Sequence, residues 1–234
     1  MSSNSLISMS IWGHINELRK RLFIAISALA ITTLISFAIV PKLLEIITMP
    51  VGGINNLQSI EMTENIGVFM RLSLLSGFIF AFPIILGELL AFIAPGLNKN
   101  EKKWIFLTIP IATLLFLSGV AFSYFVMLPV AVPYLINFLG VPTTPRLLSY
   151  TKFVTNLIFW LGIGFELPIV VFALAKFKLV TPKTLLKQWR VAIVIISIVA
   201  AAITPTIDPV NMAIVMVPLF VLYFLSVLFA FFAK

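Results

Sequence analysis

The sequence predicts an all-α polytopic membrane protein in which six transmembrane helices form a concave wall, with short fifth and sixth helices. Three observations predict this fold class. The 234 residues are 61% hydrophobic and 10% charged, whereas soluble domains average about 25% charged residues. Apolar runs near the length that crosses about 30 Å of hydrocarbon recur along the chain. The 16 lysines and arginines fall mainly in alternate connecting segments.

The predicted spans are six apolar runs, at residues 22–40, 67–94, 104–128, 153–175, 191–203 and 210–233. The second contains Pro83, which predicts a tilt or kink. The fifth would be only about 20 Å long, which implies local thinning of the bilayer or shelter by neighbouring helices. We therefore interpret 1–234 as a single integral membrane domain. It comprises a cytoplasmic amphipathic segment, 1–21, and a six-helix bundle, 22–233, with the connections 40–66 and 128–150 capping the outer face.

The distribution of basic residues predicts the orientation. With the amino terminus inside, the inner segments hold 12 of the 16 basic residues and the outer segments hold four. The inner residues are Arg19, Lys20, Arg21, Lys99, Lys102, Lys103, Lys176, Lys178, Lys183, Lys187, Arg190 and Lys234, and the outer ones are Lys42, Arg71, Arg146 and Lys152. We expect a multi-pass protein of the cell inner membrane with both termini cytoplasmic.

Composition also argues against several classes of function. Cysteine is absent, so disulfides and thiol chemistry are excluded. His14 is the one histidine, which excludes a histidine-based metal cluster. The phosphate-binding loop of ATPases, the G-x-S-x-G motif of serine hydrolases and the H-E-x-x-H motif of zinc proteases do not occur. The net charge is +8, but no basic run is long enough for a nucleic-acid groove. We predict no enzymatic activity, cofactor, metal or nucleic-acid partner.

An amphipathic helix is predicted at residues 11–22, at the inner membrane surface before the first span. Apolar residues lie on one face, and His14, Glu17 and Arg21 lie on the opposite face. Glu17 and Glu101 are the only acids in the predicted inner-face segments. They are either solvated side chains with weak surface ion pairs, or recognition carboxylates that bind guanidinium groups.

Glu166 is the strongest intramembrane signal. It lies ten residues from Lys176, or about 15 Å, and therefore near the middle of the fourth span. An acid at that depth indicates function unless it is protonated or has a structural partner. Pro168 can break the helix beside it. We expect Glu166 to face the hollow of the wall and to be partly accessible. For Glu88 and Asp208, structural and functional interpretations both stay open.

Four motifs in order along the chain resemble the TatC family, the multi-spanning receptor subunit of the twin-arginine protein translocase. They are HINELRKRL at 14–22, AFIAPGL at 91–97 followed by Glu101, FELP at 165–168, and Thr204-Pro205 with Asp208. The resemblance implies a receptor for signal peptides with paired arginines. Such a receptor works with TatA- and TatB-like single-span subunits to export folded proteins, using the proton motive force. Membrane lipid and self-association are further expected contacts.

The resemblance also implies roles for individual residues. Glu17 and Glu101 match the signal-peptide-binding carboxylates, and Arg19, Phe92 and Lys99 match their neighbours. The further matches or candidates, structural or functional, are His14, Pro50, Glu166, Pro168 and Asp208. The sequence departs from the family pattern at the last outer turn, where Ile207 precedes Asp208 and Met212 replaces a glutamine.

Two other functions compete with this interpretation. A proton-coupled secondary transporter of a small solute would use Glu166 as its proton site. It would need a closed pathway and usually an internal repeat, and the sequence contains no repeat. An intramembrane protease would need a catalytic pair at one depth, which Glu166 and Asp208 do not supply.

Overall fold

Helices account for almost all of the described residues. The computed structural model describes residues 11–93, 99–137, 140, 143–204 and 209–232, and for 11, 99–107, 210 and 211 it describes the backbone alone. The α-helices are α1 (Ile11–Ser36), α2 (Val40–Thr48), α3 (Glu64–Ile93), α4 (Lys99–Phe122), α5 (Leu128–Ile136), α6 (Leu147–Gly164), α7 (Leu167–Lys176), α8 (Pro182–Lys187), α9 (Trp189–Ile203) and α10 (Pro209–Phe232). A π-helical segment, Ser123–Met127, joins α4 to α5.

Several of these helices can cross a membrane. Within the described ranges, four stretches are long and apolar enough: Glu64–Ile93, Thr108–Ile136, Leu147–Lys176 and Met212–Phe232. The pair α1 and α2, bent by 79°, is a fifth candidate. The apolar helix α9 has 15 residues and is therefore only about 22 Å long. The all-α membrane fold and the short fifth span are confirmed.

Three boundaries differ from the prediction. The surface helix and the first span form one helix, α1, because no helix-breaking residue separates them. The sixth helix is not short, since α10 has 24 residues and continues through Pro218. The predicted outer connection 128–150 begins later than expected, because α5 extends the third span to Ile136. Pro129 lies directly after the π-helical segment, where the pattern of backbone hydrogen bonds changes.

The helices pack around α6. Val154, Leu157 and Leu161 of α6 are completely buried, and α3 and α4 lie against this helix. On the other side of α3, α1 approaches closely because Gly77 has no side chain. The Thr32 hydroxyl donates a hydrogen bond of 2.8 Å to the carbonyl of Gly77. Helix α10 packs on α7 and α9, and so completes the bundle.

The two ends of the bundle differ. We call the end where α1 begins the amino-terminal end, and the end that holds residues 37–63 and 143–146 the loop end. At the loop end, Tyr124 and Tyr150 donate hydrogen bonds from their hydroxyls to the carbonyls of Ile46 and Ile47 in α2. These bonds hold α2 across the bundle.

Arg146 forms a second set of contacts that holds the loop end together. Its guanidinium donates to Glu61 at 2.7 Å and also to Glu64, whose side chain is buried. The backbone of Gln58 pairs with the segment at Arg146 as an isolated bridge. The hydrogen bonds to Glu61 and Glu64 raise the pKa of Arg146 above its ordinary value. The predicted cap over this end is therefore a fixed structure, secured by ionised side chains.

Candidate functional site

The amino-terminal end is built where the first turns of α1 meet the last turns of α3. His14 stacks on Phe92, with ring centroids 4.7 Å apart and an angle of 28° between the planes. This contact places the predicted polar face of α1 against α3. The apolar face points outward instead, with Trp12, Ile15 and Leu22 exposed. The reversal is expected where lipid surrounds the outer surface, because polar groups then favour the interior of the bundle.

Arg21 joins two carboxylates in this contact. One of its terminal nitrogens donates to Glu88 at 2.9 Å, and the other lies 3.6 Å from Glu17. The side chains of Arg21, Glu17 and Glu88 are 32%, 17% and 19% exposed, so all three are shielded from bulk solvent. Two acids and one base leave this cluster with an excess negative charge.

Glu17 has unused capacity to accept hydrogen bonds. Its second carboxylate oxygen, Oε2, is buried and has no hydrogen-bond partner. A buried acceptor without a partner is unfavourable by about 1–3 kcal/mol, so a donor that reaches it is bound favourably. The predicted recognition carboxylate is therefore only partly satisfied within its own chain.

Glu88 corrects the prediction that Glu17 and Glu101 are the only acids at this face. Its contact with Arg21 brings a third acid to the amino-terminal end. The sequence placed Glu88 seven residues before Pro95, close enough to reach the interface. Its partner lies 67 positions away along the chain and could not be read from local spacing.

The remaining predicted residues of this site are distributed around it. Arg19 does not join the cluster; it is exposed and lines a shallow depression of about 460 Å³ together with Asn16, Lys20 and Phe23. Lys99 and Glu101 lie in the first turn of α4, which starts at the same end of the bundle. An acid in a first turn is favoured by the helix dipole. The side chains of Lys99 and Glu101 lie outside the described residues.

Glu166 lies far from this cluster, at the break between α6 and α7. Pro168 occupies the first turn of α7, and the predicted helix break at this point is confirmed. The Glu166 side chain is more buried than predicted, since only 9% of the residue is exposed. Its Oε1 atom has no hydrogen-bond partner, and no described basic residue forms an ion pair with it.

Close helix packing explains why Glu166 is enclosed. A Cβ atom at Gly162 would lie 2.7 Å from the ring of Phe116, and one at Gly164 would lie 2.9 Å from Leu219. Glycine at these positions lets α4 and α10 approach the break beside Glu166. The prediction that Glu166 is partly accessible is therefore wrong, whereas its orientation toward the hollow of the wall stays a prediction.

Pro50 belongs to the opposite end of the bundle. Pro50 lies half-buried in a 3₁₀ turn, Met49–Val51, that follows α2. Asp208 lies outside the described residues. The sequence predicted Arg71 only at the outer end of the second span. In the structure this side chain lies seven residues inside α3 and donates to Thr155 and Asn156. In the sequence, the signal for a functional arginine within the span was that a long apolar run follows Arg71 directly.

Comparisons with known proteins agree on one family. The profile described as "TatC: Sec-independent protein translocase protein (TatC)" matches residues 13–218. The Sec-independent protein translocase protein TatC of Carboxydothermus hydrogenoformans is 33% identical, covering 97% of this chain and 94% of the relative. The protein of that name from Deinococcus radiodurans is 36% identical, covering 95% and 86%. A crystal structure described as the twin arginine translocase receptor TatC matches with a TM-score of 0.84 and 32% identity, covering 94% of this chain and 99% of that one.

Proposed function

Because this chain belongs to the TatC family, we propose that it is the receptor component of a Sec-independent protein translocase and binds twin-arginine signal peptides. The family is one of protein transport rather than catalysis. The competing interpretation, a proton-coupled transporter of small solutes, has no support among the relatives, which are named as translocase proteins.

The unpartnered carboxylate oxygen of Glu17 is the observation that supports the proposed binding site. Its Oε2 atom is a buried acceptor without a partner, and its contact with Arg21 at 3.6 Å is longer than a hydrogen bond. A guanidinium of the signal peptide would bind at this oxygen. Arg21 would keep its shorter contact with Glu88. Glu17 and Glu88 would then together bind two guanidinium groups, that of Arg21 and that of the peptide.

Glu101 and the neighbouring basic residues complete the proposed site. Glu101 belongs to the first turn of α4, at the same end of the bundle as Glu17, which supports a site in which each arginine of the pair would bind one carboxylate. Exposed Arg19 and the first-turn Lys99 would repel isolated cations, while Phe92 beside His14 offers an apolar edge. Charge pairs at surfaces contribute only about 0–1 kcal/mol each. Burial of the apolar part of the peptide against the helices must supply the remaining affinity.

The cellular setting follows from the same proposal. The predicted 12-to-4 distribution of basic residues in the sequence supports a cytoplasmic site, with both termini on the same side of the membrane. The membrane would be the inner membrane. TatA- and TatB-like single-span subunits would be the partners, with Glu166 as an intramembrane polar contact. Because Glu166 is enclosed, a partner would reach its free Oε1 only after α4 or α10 moves.

Substitution of the two carboxylates tests the site. Glu17→Gln and Glu101→Gln keep the size of the side chain and remove its charge. Each should weaken binding of a synthetic twin-arginine signal peptide by up to about fivefold, measured by fluorescence anisotropy on the purified chain in detergent. A peptide with two lysines should bind the wild type weakly, because lysine lacks the bidentate geometry of arginine.

Glu45→Gln is the matched control for this experiment. Glu45 is an exposed acid on α2, at the opposite end of the bundle, and its loss should leave binding unchanged. Wild-type affinity in both Glu17→Gln and Glu101→Gln would show that the signal peptide binds elsewhere.

A further inference from the structure

A lateral groove of about 600 Å³ opens between α1, α3 and α6. Its lining includes the polar side chains of Arg71, Thr155 and Asn156. Leu74 and Phe78 continue the same wall along α3 toward the middle of the bundle. The groove therefore joins a polar site to an adjacent apolar wall. Glu166 and the cluster around Glu17 are not part of it.

Arg71 is a positive charge held in place without a negative partner. One of its terminal nitrogens donates to the Thr155 hydroxyl at 3.2 Å and to the Asn156 carbonyl oxygen at 3.1 Å. Both acceptors are neutral. Each of the four ion pairs among the described residues uses Arg21 or Arg146, and Arg71 takes part in none of them.

The depth of Arg71 makes a missing counter-charge unfavourable. The residue lies seven positions from Glu64, the first residue of α3, which is about 10 Å along the helix axis. That position is close to the boundary between headgroups and hydrocarbon at the loop end. A guanidinium held there by two hydrogen bonds, with further N–H donors free, is suited to a phosphate or carboxylate.

We propose that this groove binds a net-anionic phospholipid from the loop-end leaflet, with its phosphate on Arg71 and an acyl chain along Leu74 and Phe78. The guanidinium beside an apolar wall matches the phosphate and acyl chain of such a lipid. A partner helix would need a carboxylate of its own at the level of Arg71, and it is tested below as a separate outcome.

Lipid binding to the purified full chain tests this site. Native mass spectrometry would compare dioleoyl phosphatidylglycerol with dioleoyl phosphatidylcholine, which has the same chains and no net charge. The wild type should bind phosphatidylglycerol at least about tenfold more tightly. Arg71→Gln should abolish this preference. Lys152→Gln removes the same charge from an exposed position on α6 and should retain the preference.

Two additional variants keep the test decisive if Arg71→Gln does not fold. Leu74→Trp fills the groove without changing Arg71 and should also reduce the binding of phosphatidylglycerol. Arg71→Lys keeps the charge and loses the fork of donors, so its preference should be intermediate. Equal binding of the two lipids by the wild type, or a preference unchanged in Arg71→Gln and Leu74→Trp, would overturn the proposal.

The other possible occupants give distinct results. Glycerol phosphate has the phosphate without the chains, and binding as tight as that of the lipid would exclude a role for the apolar wall. A transmembrane peptide with a single glutamate would represent a partner helix. Arg71-dependent binding of that peptide, with no preference for phosphatidylglycerol, would replace the lipid by a carboxylate of a partner.

Discussion

At the scale of the residue, Arg21 offsets part of the negative charge of two carboxylates at the amino-terminal end. It lies between Glu17 and Glu88, and without it two carboxylates would face each other at the end of α1. Because Arg21 binds Glu88 more closely than Glu17, it leaves one acid of the pair partly available. This asymmetry supports the proposal that Glu17 receives a guanidinium while Glu88 has a structural role.

A double-mutant cycle measures the link between Arg21 and Glu88. Arg21→Met and Glu88→Gln should each destabilise the chain, and their combined effect should be smaller than the sum by about 1 kcal/mol, because either change alone breaks the same contact. The values would come from thermal or denaturant unfolding in detergent. Arg21→Met combined with Glu45→Gln is the control, since Glu45 lies at the far end and should give additive effects.

The roles of these residues were predictable from the sequence to different degrees. Glu17 was identified as a candidate because an acid among bases beside an apolar run is unusual. The partner of Glu88 was not, because helical periodicity shows which face a residue occupies but not which helix covers that face. Arg71 was assigned to the end of its helix, since the sequence did not show that α3 begins as early as Glu64.

At the scale of the element, glycines control how closely the helices pack. The contact between α1 and α3 depends on Gly77, where a Cβ atom would lie 2.4 Å from the Thr33 hydroxyl and 2.7 Å from the Thr33 backbone. Gly162 and Gly164 allow similarly close packing beside the break between α6 and α7. The helix break itself was predicted from Pro168. The close packing was not, because it depends on neighbours that are distant in the sequence.

Substitution of Gly77 tests this control. Gly77→Ala should destabilise the chain by about 1–3 kcal/mol, because the added methyl group forces α1 away from α3. The Thr32 hydrogen bond to the Gly77 carbonyl should be lost with it. Unfolding in detergent, followed by circular dichroism, measures the change.

Gly87→Ala is a control in the same helix. Its Cβ atom would meet only the end of Ile109, at 3.8 Å, so the higher helix propensity of alanine should make this change neutral or slightly stabilising. Equal effects of the two substitutions would mean that backbone propensity, rather than the contact with Thr33, determines the result at Gly77.

At the scale of the whole molecule, composition was a reliable guide. A chain that is 61% hydrophobic and 10% charged requires lipid around it, and the helical fold follows from the need to satisfy backbone groups there. The lengths of apolar runs located the spans to within a few residues at most ends. The bend of 79° between α1 and α2 was not predicted, because tertiary contacts with Tyr124 and Tyr150 hold α2 in place.

The proposed orientation can be tested by labelling single cysteines, since the natural chain has none. Lys20→Cys and Lys183→Cys should be protected from a membrane-impermeant maleimide in intact cells, and Ser59→Cys should react. All three positions are exposed in the structure, so differences in reaction would report the side of the membrane. Permeabilised cells, in which all three should react, are the control. Labelling of Lys183→Cys in intact cells would show that the orientation is the reverse of the one proposed.

The loop end of the receptor is held together by hydrogen bonds between side chains and neighbouring segments. Helix α2 is held across the bundle by Tyr124 and Tyr150, and Arg146 ties the neighbouring segments together. A signal peptide that docks at the amino-terminal end, as proposed, would therefore face a loop end that side-chain contacts hold together in the described part of the chain. We expect such docking to be reversible, with release toward the side of entry.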